Sequence, residues 1–260
     1  MYFNDRRGRK IYYESHGDGE GKTPLVLLHH GFASLVMWER ICSMLVAAGR
    51  RVVIYDRPGH GRSDIGDDFD AFCRRDDFRS ENVSVLEELA DLLGLDRFHL
   101  VGQCEGGVVA IDFAVRFPDR VETVATSSTL CCSRMPMAEF NREHFPASLE
   151  ELEPEMREKM IRWHGPERAV AFYDRLWKYG GSYGLGDFDL REKLGQVARP
   201  ALVLYPDRSS LFEVEQGVEF YRHLPAGELA VLPKCGHNTY EQQPEEYVRQ
   251  LLRFFERHRG

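Results

Sequence analysis

The sequence predicts an α/β fold: a mostly parallel sheet with helices on both faces and a helical lid inserted between two strands. Three observations carry this. Short, nearly continuous apolar runs recur, as in Leu25–His29 and Arg51–Tyr55, the pattern of strands covered on both faces. Amphipathic helical patterns alternate with them, giving the βαβ rhythm of parallel sheets. One region, 133–196, contains no good strand and breaks the alternation.

In chain order, Lys10–Ser15 and Leu25–His29 read as strands. Trp38, Ile41, Cys42, Leu45 and Val46 share one helical face, which Gly49 stops. Arg51–Tyr55 is the next strand, and 57–79 a loop rich in Gly and Asp. A helix is expected over 81–93, with Val85, Leu86, Leu89, Leu92 and Leu93 on one face. Strand Arg97–Val101, helix Glu105–Phe117 and strand Val121–Thr126 follow. Within 133–196, helical patterns occupy 148–163 and 166–178. Strands resume at Ala201–Tyr205 and Glu228–Leu232, and Pro244 opens a last helix with Tyr247, Val248, Leu251, Leu252 and Phe255 inward. The expected organisation is a core of 1–132 and 197–260, with 133–196 as the cap.

In such sheets chemistry gathers where the strands end. Gly102-Gln103-Cys104-Glu105-Gly106 lies between a strand and a helix and has the form of a nucleophile elbow. Its glycines suit a cramped turn in which neighbouring side chains would collide. Cys235-Gly236-His237-Asn238 follows the last strand, placing His237 as a candidate base. His29-His30-Gly31-Phe32 follows the strand Leu25–His29. The N–H groups of Phe32 and Glu105 would form an oxyanion hole.

These residues, with Asp56-Arg57-Pro58-Gly59-His60-Gly61-Arg62-Ser63, make the chain resemble the α/β-hydrolases over essentially its whole length. The resemblance is to small lidded esterases and thioesterases. Cys104 stands where most members hold serine; dienelactone hydrolases are a branch with cysteine. Family members carry an aspartate in the loop after the strand at 201–205, and that position is Ser209 here. Asp207, two residues earlier, would point the same way in an extended segment and is the expected acid. Glu213, Glu215 or a bare Cys104–His237 dyad are the alternatives. A thiolate at a helix start, beside an imidazolium, would need a third carboxylate less. Glu105 would either recognise a substrate ammonium or hydroxyl, with His30 beside it, or be a solvated helix-terminal residue.

The expected function is hydrolysis of an ester, thioester or lactone through an acyl-enzyme on Cys104. Elimination of a small carboxylate with His237 as base is the alternative, together with acyl transfer. A non-catalytic receptor is a third reading. The partner would be a small-molecule acyl substrate. Thirty-four basic against forty-two acidic residues, net −8, give no footprint for nucleic acid. No apolar run approaches the roughly 18 residues of a membrane span. No secretory signal is visible at the N-terminus, so a cytoplasmic setting with reduced thiols is expected. Six cysteines without CxxC spacing imply no metal site, and no cofactor is implied. Cys131-Cys132 reads as a small buried hinge pair.

Overall fold

A computed structural model describes residues 1–19, 21–66, 78–184 and 186–258. Cys73 and the rest of 67–77, within the Gly/Asp-rich loop expected at 57–79, fall outside these residues.

The chain opens with strands β1 (Tyr2–Asn4), β2 (Lys10–His16) and β3 (Leu25–Leu28). A 3-10 turn (Leu35–Trp38) leads into α1 (Glu39–Ala47). Then come β4 (Val52–Tyr55), α2 (Phe78–Leu92), β5 (Phe98–Gln103), α3 (Glu105–Arg116) and β6 (Val121–Ser127). The next portion holds β7 (Cys132–Ser133), α4 (Met137–His144), α5 (Pro154–His164), α6 (Ala169–Tyr179), β8 (Phe188–Asp189) and α7 (Arg191–Leu194). The core resumes with β9 (Ala201–Pro206), α8 (Val214–Arg222), β10 (Gly227–Leu232), α9 (Thr239–Gln242) and α10 (Pro244–Arg257).

The main sheet has the order β1-β2-β4-β3-β5-β6-β9-β10, parallel throughout except at β1 and β2. Every residue of β3, β4, β5, β6 and β9 is buried, because helices cover both faces. One face packs Val26, Val53, Leu100, Val124 and Val203 against α2, α3 and α8. The other packs Leu27, Ile54, Val101 and Leu204 against α1 and α10. There Trp38 lies against Tyr240 and Tyr247, with ring centroids 5.4 and 6.2 Å apart. Burying each large apolar side chain stabilises the fold by about 1.5–3 kcal/mol.

The inserted helical region sits between β6 and β9, as the sequence rhythm implied. It is not free of strands, however. Cys132–Ser133 and Phe188–Asp189 pair antiparallel and close its base. The helix over Met137–His144 was also not expected, nor was α8. Of the vicinal pair, Cys131 is fully buried and Cys132 partly so.

Candidate active site

The parallel strands deliver their C-terminal loops to one edge of the sheet. There β5 ends and α3 begins with only Cys104 between them. Cys104 adopts φ 50°, ψ −115°, a left-handed conformation that a non-glycine residue holds only under constraint. Its N–H donates to the carbonyl of Ser127 at 2.7 Å, and the hydroxyl of Thr129 donates to its carbonyl at 3.1 Å. The flanking glycines are required by contact. A Cβ on Gly102 would strike the Gly106 carbonyl, one on Gly106 the Leu28 carbonyl, and one on Gly107 the Thr129 hydroxyl. The elbow read from the sequence is therefore built as an elbow.

The sulfur is not a thiolate. Desolvation, reinforced by the charge of Glu105, pushes its pKa up to about 12. Its side-chain partner is the phenol of Tyr183, reaching in from the inserted region at 3.4 Å. The Glu105 N–H also faces the sulfur.

His237 lies across the same cavity. Its loop is fixed through its own carbonyl, which accepts from Gln103 Nε2 (2.8 Å) and Ser128 Oγ (2.7 Å). Desolvation lowers its pKa to about 4, so the ring is neutral near pH 7. Nδ1 faces the hydroxyl of Ser209 at 3.3 Å. That oxygen also receives the N–H groups of Leu211 and Phe212, at 3.2 and 3.1 Å. A hydroxyl can meet Nδ1 with its hydrogen or with a lone pair. Unlike a carboxylate, it neither locks the tautomer nor neutralises an imidazolium.

Asp207 is not the partner of His237. The chain bends after β9, so the alternation of an extended segment does not apply. The carboxylate turns back to accept the Cys235 N–H at 3.0 Å, with Arg208 at 3.5 Å. That backbone hydrogen bond holds its pKa below the usual carboxylate value. Glu213 and Glu215 are exposed at the start of α8.

Glu105 is not a solvated helix-terminal residue; it borders the cavity with its charge already paired. Its carboxylate is buried in an ion pair with the fully buried Arg57. A Cβ on Gly31 would come within 2.6 Å of this carboxylate, and one on Gly181 would overlap it. His30 lines the cavity, held by Tyr240 (3.3 Å) and edge-on to Trp163. Its Nδ1 accepts the N–H of Phe32 at 3.3 Å, the same N–H expected to serve an oxyanion. Burial keeps His30 neutral as well.

The cavity between core and inserted region measures about 210 Å³. Apolar side chains dominate its wall, among them Met137, Phe140, Phe145, Met156, Trp163 and Leu176. Among the described residues lining it there is no Lys, Arg or Asp. Among the described residues there is also no cluster of three or more His, Cys, Asp or Glu suited to a metal ion. No described helix is long and apolar enough to cross a membrane. Sequence reasoning missed Tyr183. Its one signal is a tyrosine set between Gly180-Gly181 and Gly184, glycines that let a chain descend onto a site.

Comparison with known proteins agrees with this architecture. The family model described as the alpha/beta hydrolase fold matches residues 23–179. A proline iminopeptidase from Lactobacillus crispatus is 26% identical, with 96% of each chain covered. The 2-hydroxy-6-oxo-6-phenylhexa-2,4-dienoate hydrolase of Burkholderia cepacia is 25% identical, covering 94% of this chain and 91% of its own. Among solved structures, a serine-to-alanine mutant of the meta-cleavage product hydrolase from Pseudomonas fluorescens is 18% identical. It has a TM-score of 0.78 and covers 100% of this chain and 98% of its own. The chain belongs to the alpha/beta hydrolase fold family and is an enzyme of that type, acting on a small molecule. The expectation of a cysteine nucleophile is corrected, while esterase-type hydrolysis of a small substrate stands. The relatives are hydrolases of the Ser-His-Asp kind, and here the thiol is protonated, the imidazole uncharged and the expected acid elsewhere.

Proposed function

We propose that this member of the family cleaves a small, uncharged and largely apolar carbonyl compound, with His237 acting directly as the base and no bond made to sulfur. The observation that carries this is the pairing of a neutral His237 with a protonated thiol across one apolar cavity. The substrate class is an ester, a lactone, or a ketone beside a breakable carbon–carbon bond.

In this reading the carbonyl rests over the elbow. His237 takes a proton from water as the water oxygen bonds to the carbonyl carbon. The negative charge that develops on the former carbonyl oxygen is met by the N–H groups of Glu105 and Phe32, the latter released from His30. One such donor is commonly worth about 2.7–4 kcal/mol in the transition state. The bond to the leaving group then breaks, and the imidazolium returns its proton to that group.

The lining supports an uncharged substrate. An iminopeptidase substrate, as the name of one relative implies, would bring a free amine; the nearest carboxylate, Glu105, already neutralises Arg57. A dienoate, as in the other relative's name, would bring a carboxylate to a wall without Lys or Arg. The lack of a carboxylate on Nδ1 favours one second reading: the same base removes a C–H proton and a small carboxylate departs.

The test is a panel of neutral esters, lactones and 1,3-diketones with product identification by mass spectrometry, run on wild type, His237→Ala and Cys104→Ala. His237→Ala should lose about 10²–10⁴-fold, the usual value of a positioned acid or base. Cys104→Ala should stay within about tenfold. An acyl adduct on Cys104 during turnover would overturn the reading.

A further inference from the structure

Tyr183 is brought to the elbow by a loop built for close approach. Gly180, Gly181 and Gly184 take φ of 74°, 60° and 79°, conformations that favour glycine. With them the chain leaves α6 and descends until Gly181 lies against the Glu105 carboxylate. Tyr183 is 6% exposed, and its ring is edge-on to Phe188 at 4.8 Å and to Phe212 at 6.3 Å. Phe212 in turn lies edge-on to His237 at 5.4 Å. Phenol, thiol and imidazole thus all line one cavity.

The hydrogen-bond inventory of the phenol is informative. Its oxygen receives the Leu130 N–H, and its partner within the site is the Cys104 sulfur. A thiol is a weak acceptor. Among the described residues the hydroxyl's side-chain partner is this sulfur, and where its hydrogen faces that sulfur, a substrate oxygen seated over the elbow would be a better acceptor. Burial and the neighbouring thiol hold the phenol well above its usual pKa, so it donates and keeps its own hydrogen.

We infer that Tyr183 is a catalytic residue, donating its O–H to the oxygen of the departing group while His237 works as the base. This rests on the proposed His237-base reading. The proton balance is unchanged: water loses a proton to His237, the carbonyl carbon gains the water oxygen, and the bond to the leaving group breaks. His237 then gives that proton to the departing oxygen, or to the carbon of a departing enolate. Tyr183 stabilises the charge on that oxygen in transit and stays protonated.

The experiment compares wild type and Tyr183→Phe on aryl and alkyl esters of one acid, graded from p-nitrophenol to simple alcohols. Tyr183→Phe should cost under about threefold in kcat with p-nitrophenyl esters. The cost should rise to about 10²-fold with alkyl esters, at nearly constant KM. A uniform loss, or a change in KM alone, would overturn the inference, since a structural role has no leaving-group slope. A second measurement is independent of turnover: equilibrium binding of p-nitrophenolate by absorbance. Tyr183→Phe should bind it about tenfold more weakly, and unchanged binding would also overturn the inference. A His237-independent rate or an acyl–sulfur adduct would instead sink the base reading, with the Tyr183 comparison still readable.

Discussion

Replacing Ser209 with Asp tests how this site handles charge. The hydroxyl of Ser209 stands 3.3 Å from Nδ1 of His237 and takes the N–H groups of Leu211 and Phe212. A carboxylate there would keep both N–H partners and add a negative charge beside the ring. His237 starts with its pKa lowered to about 4 by desolvation. An opposite charge within about 4–6 Å raises such a pKa by roughly 1–3 units, and each unit is about 1.4 kcal/mol. The imidazolium formed when His237 takes a proton is then easier to form by roughly 1.4–4 kcal/mol. Steps limited by that transfer should accelerate about 10- to 10³-fold. Two assays read this: imidazole NMR titration of the resting protein, and the pH dependence of kcat/KM. Wild-type activity should hold down to about pH 5 and fail as His237 protonates near pH 4. In Ser209→Asp the same fall should come one to three units higher, with a higher plateau. An unmoved titration, or a plateau that drops while the protein remains folded, would refute the reasoning.

Other outcomes follow from the same geometry. Asp207→Asn should leave kcat/KM within about threefold, because that carboxylate serves the Cys235 N–H and not His237; a loss near 10⁴-fold, as triad disruption gives, would contradict it. Arg57→Ala should cost about 3–5 kcal/mol in urea denaturation by stranding the buried Glu105 charge, with much of the loss recovered when Glu105→Ala is added. Stability should be greatest near pH 7–8, fall above that as the thiols of the unfolded chain ionise before the buried Cys42 and Cys104, and fall as pH drops from about 6.5 toward 3. Desolvation lowers folded His99 and His164 to about 3, so the unfolded chain takes up protons first. Asp56, which burial pushes up to about 6, opposes that slope between about pH 6 and 4, but it is one group against six, since burial lowers His29, His30, His60 and His237 as well. Thermal melts across this range should show the decline, and a rise on acidification would contradict it.

The sheet was legible because its strands are covered on both faces, so Leu25–Leu28 and Val52–Tyr55 read as unbroken apolar runs. The elbow was legible because glycine is needed at 102, 106 and 107 for steric reasons. His237 followed from its place after the last strand. Local pattern failed where a long-range contact decides the outcome. The two-residue strands at Cys132 and Phe188 have no periodicity to detect. The α8 segment buries only Gly217 and Phe220, too thin a stripe to show. Glu105 reads as a surface residue until Arg57, distant in sequence, arrives beside it. The state of Cys104 was misjudged because the helix start was weighed without the apolar wall that desolvates the sulfur. Ser209 stands at the acid's place, and the extended geometry expected to bring Asp207 to the same side fails because the chain bends after β9.

The ion pair of Arg57 and Glu105 does more than fill space. It ties together the loop at Gly31, the turn that holds Cys104, and the descending segment at Gly181, three stretches that a hinged cover would have to separate. Prising that corner apart would wet a charge pair now sealed from water, so this side of the chamber is clamped shut. Met137, Phe140, Leu211 and Phe212 line both this chamber and a second hollow of about 230 Å³. The two hollows are thus separated by side chains alone, and trimming that partition would join them into one larger chamber beside the imidazole.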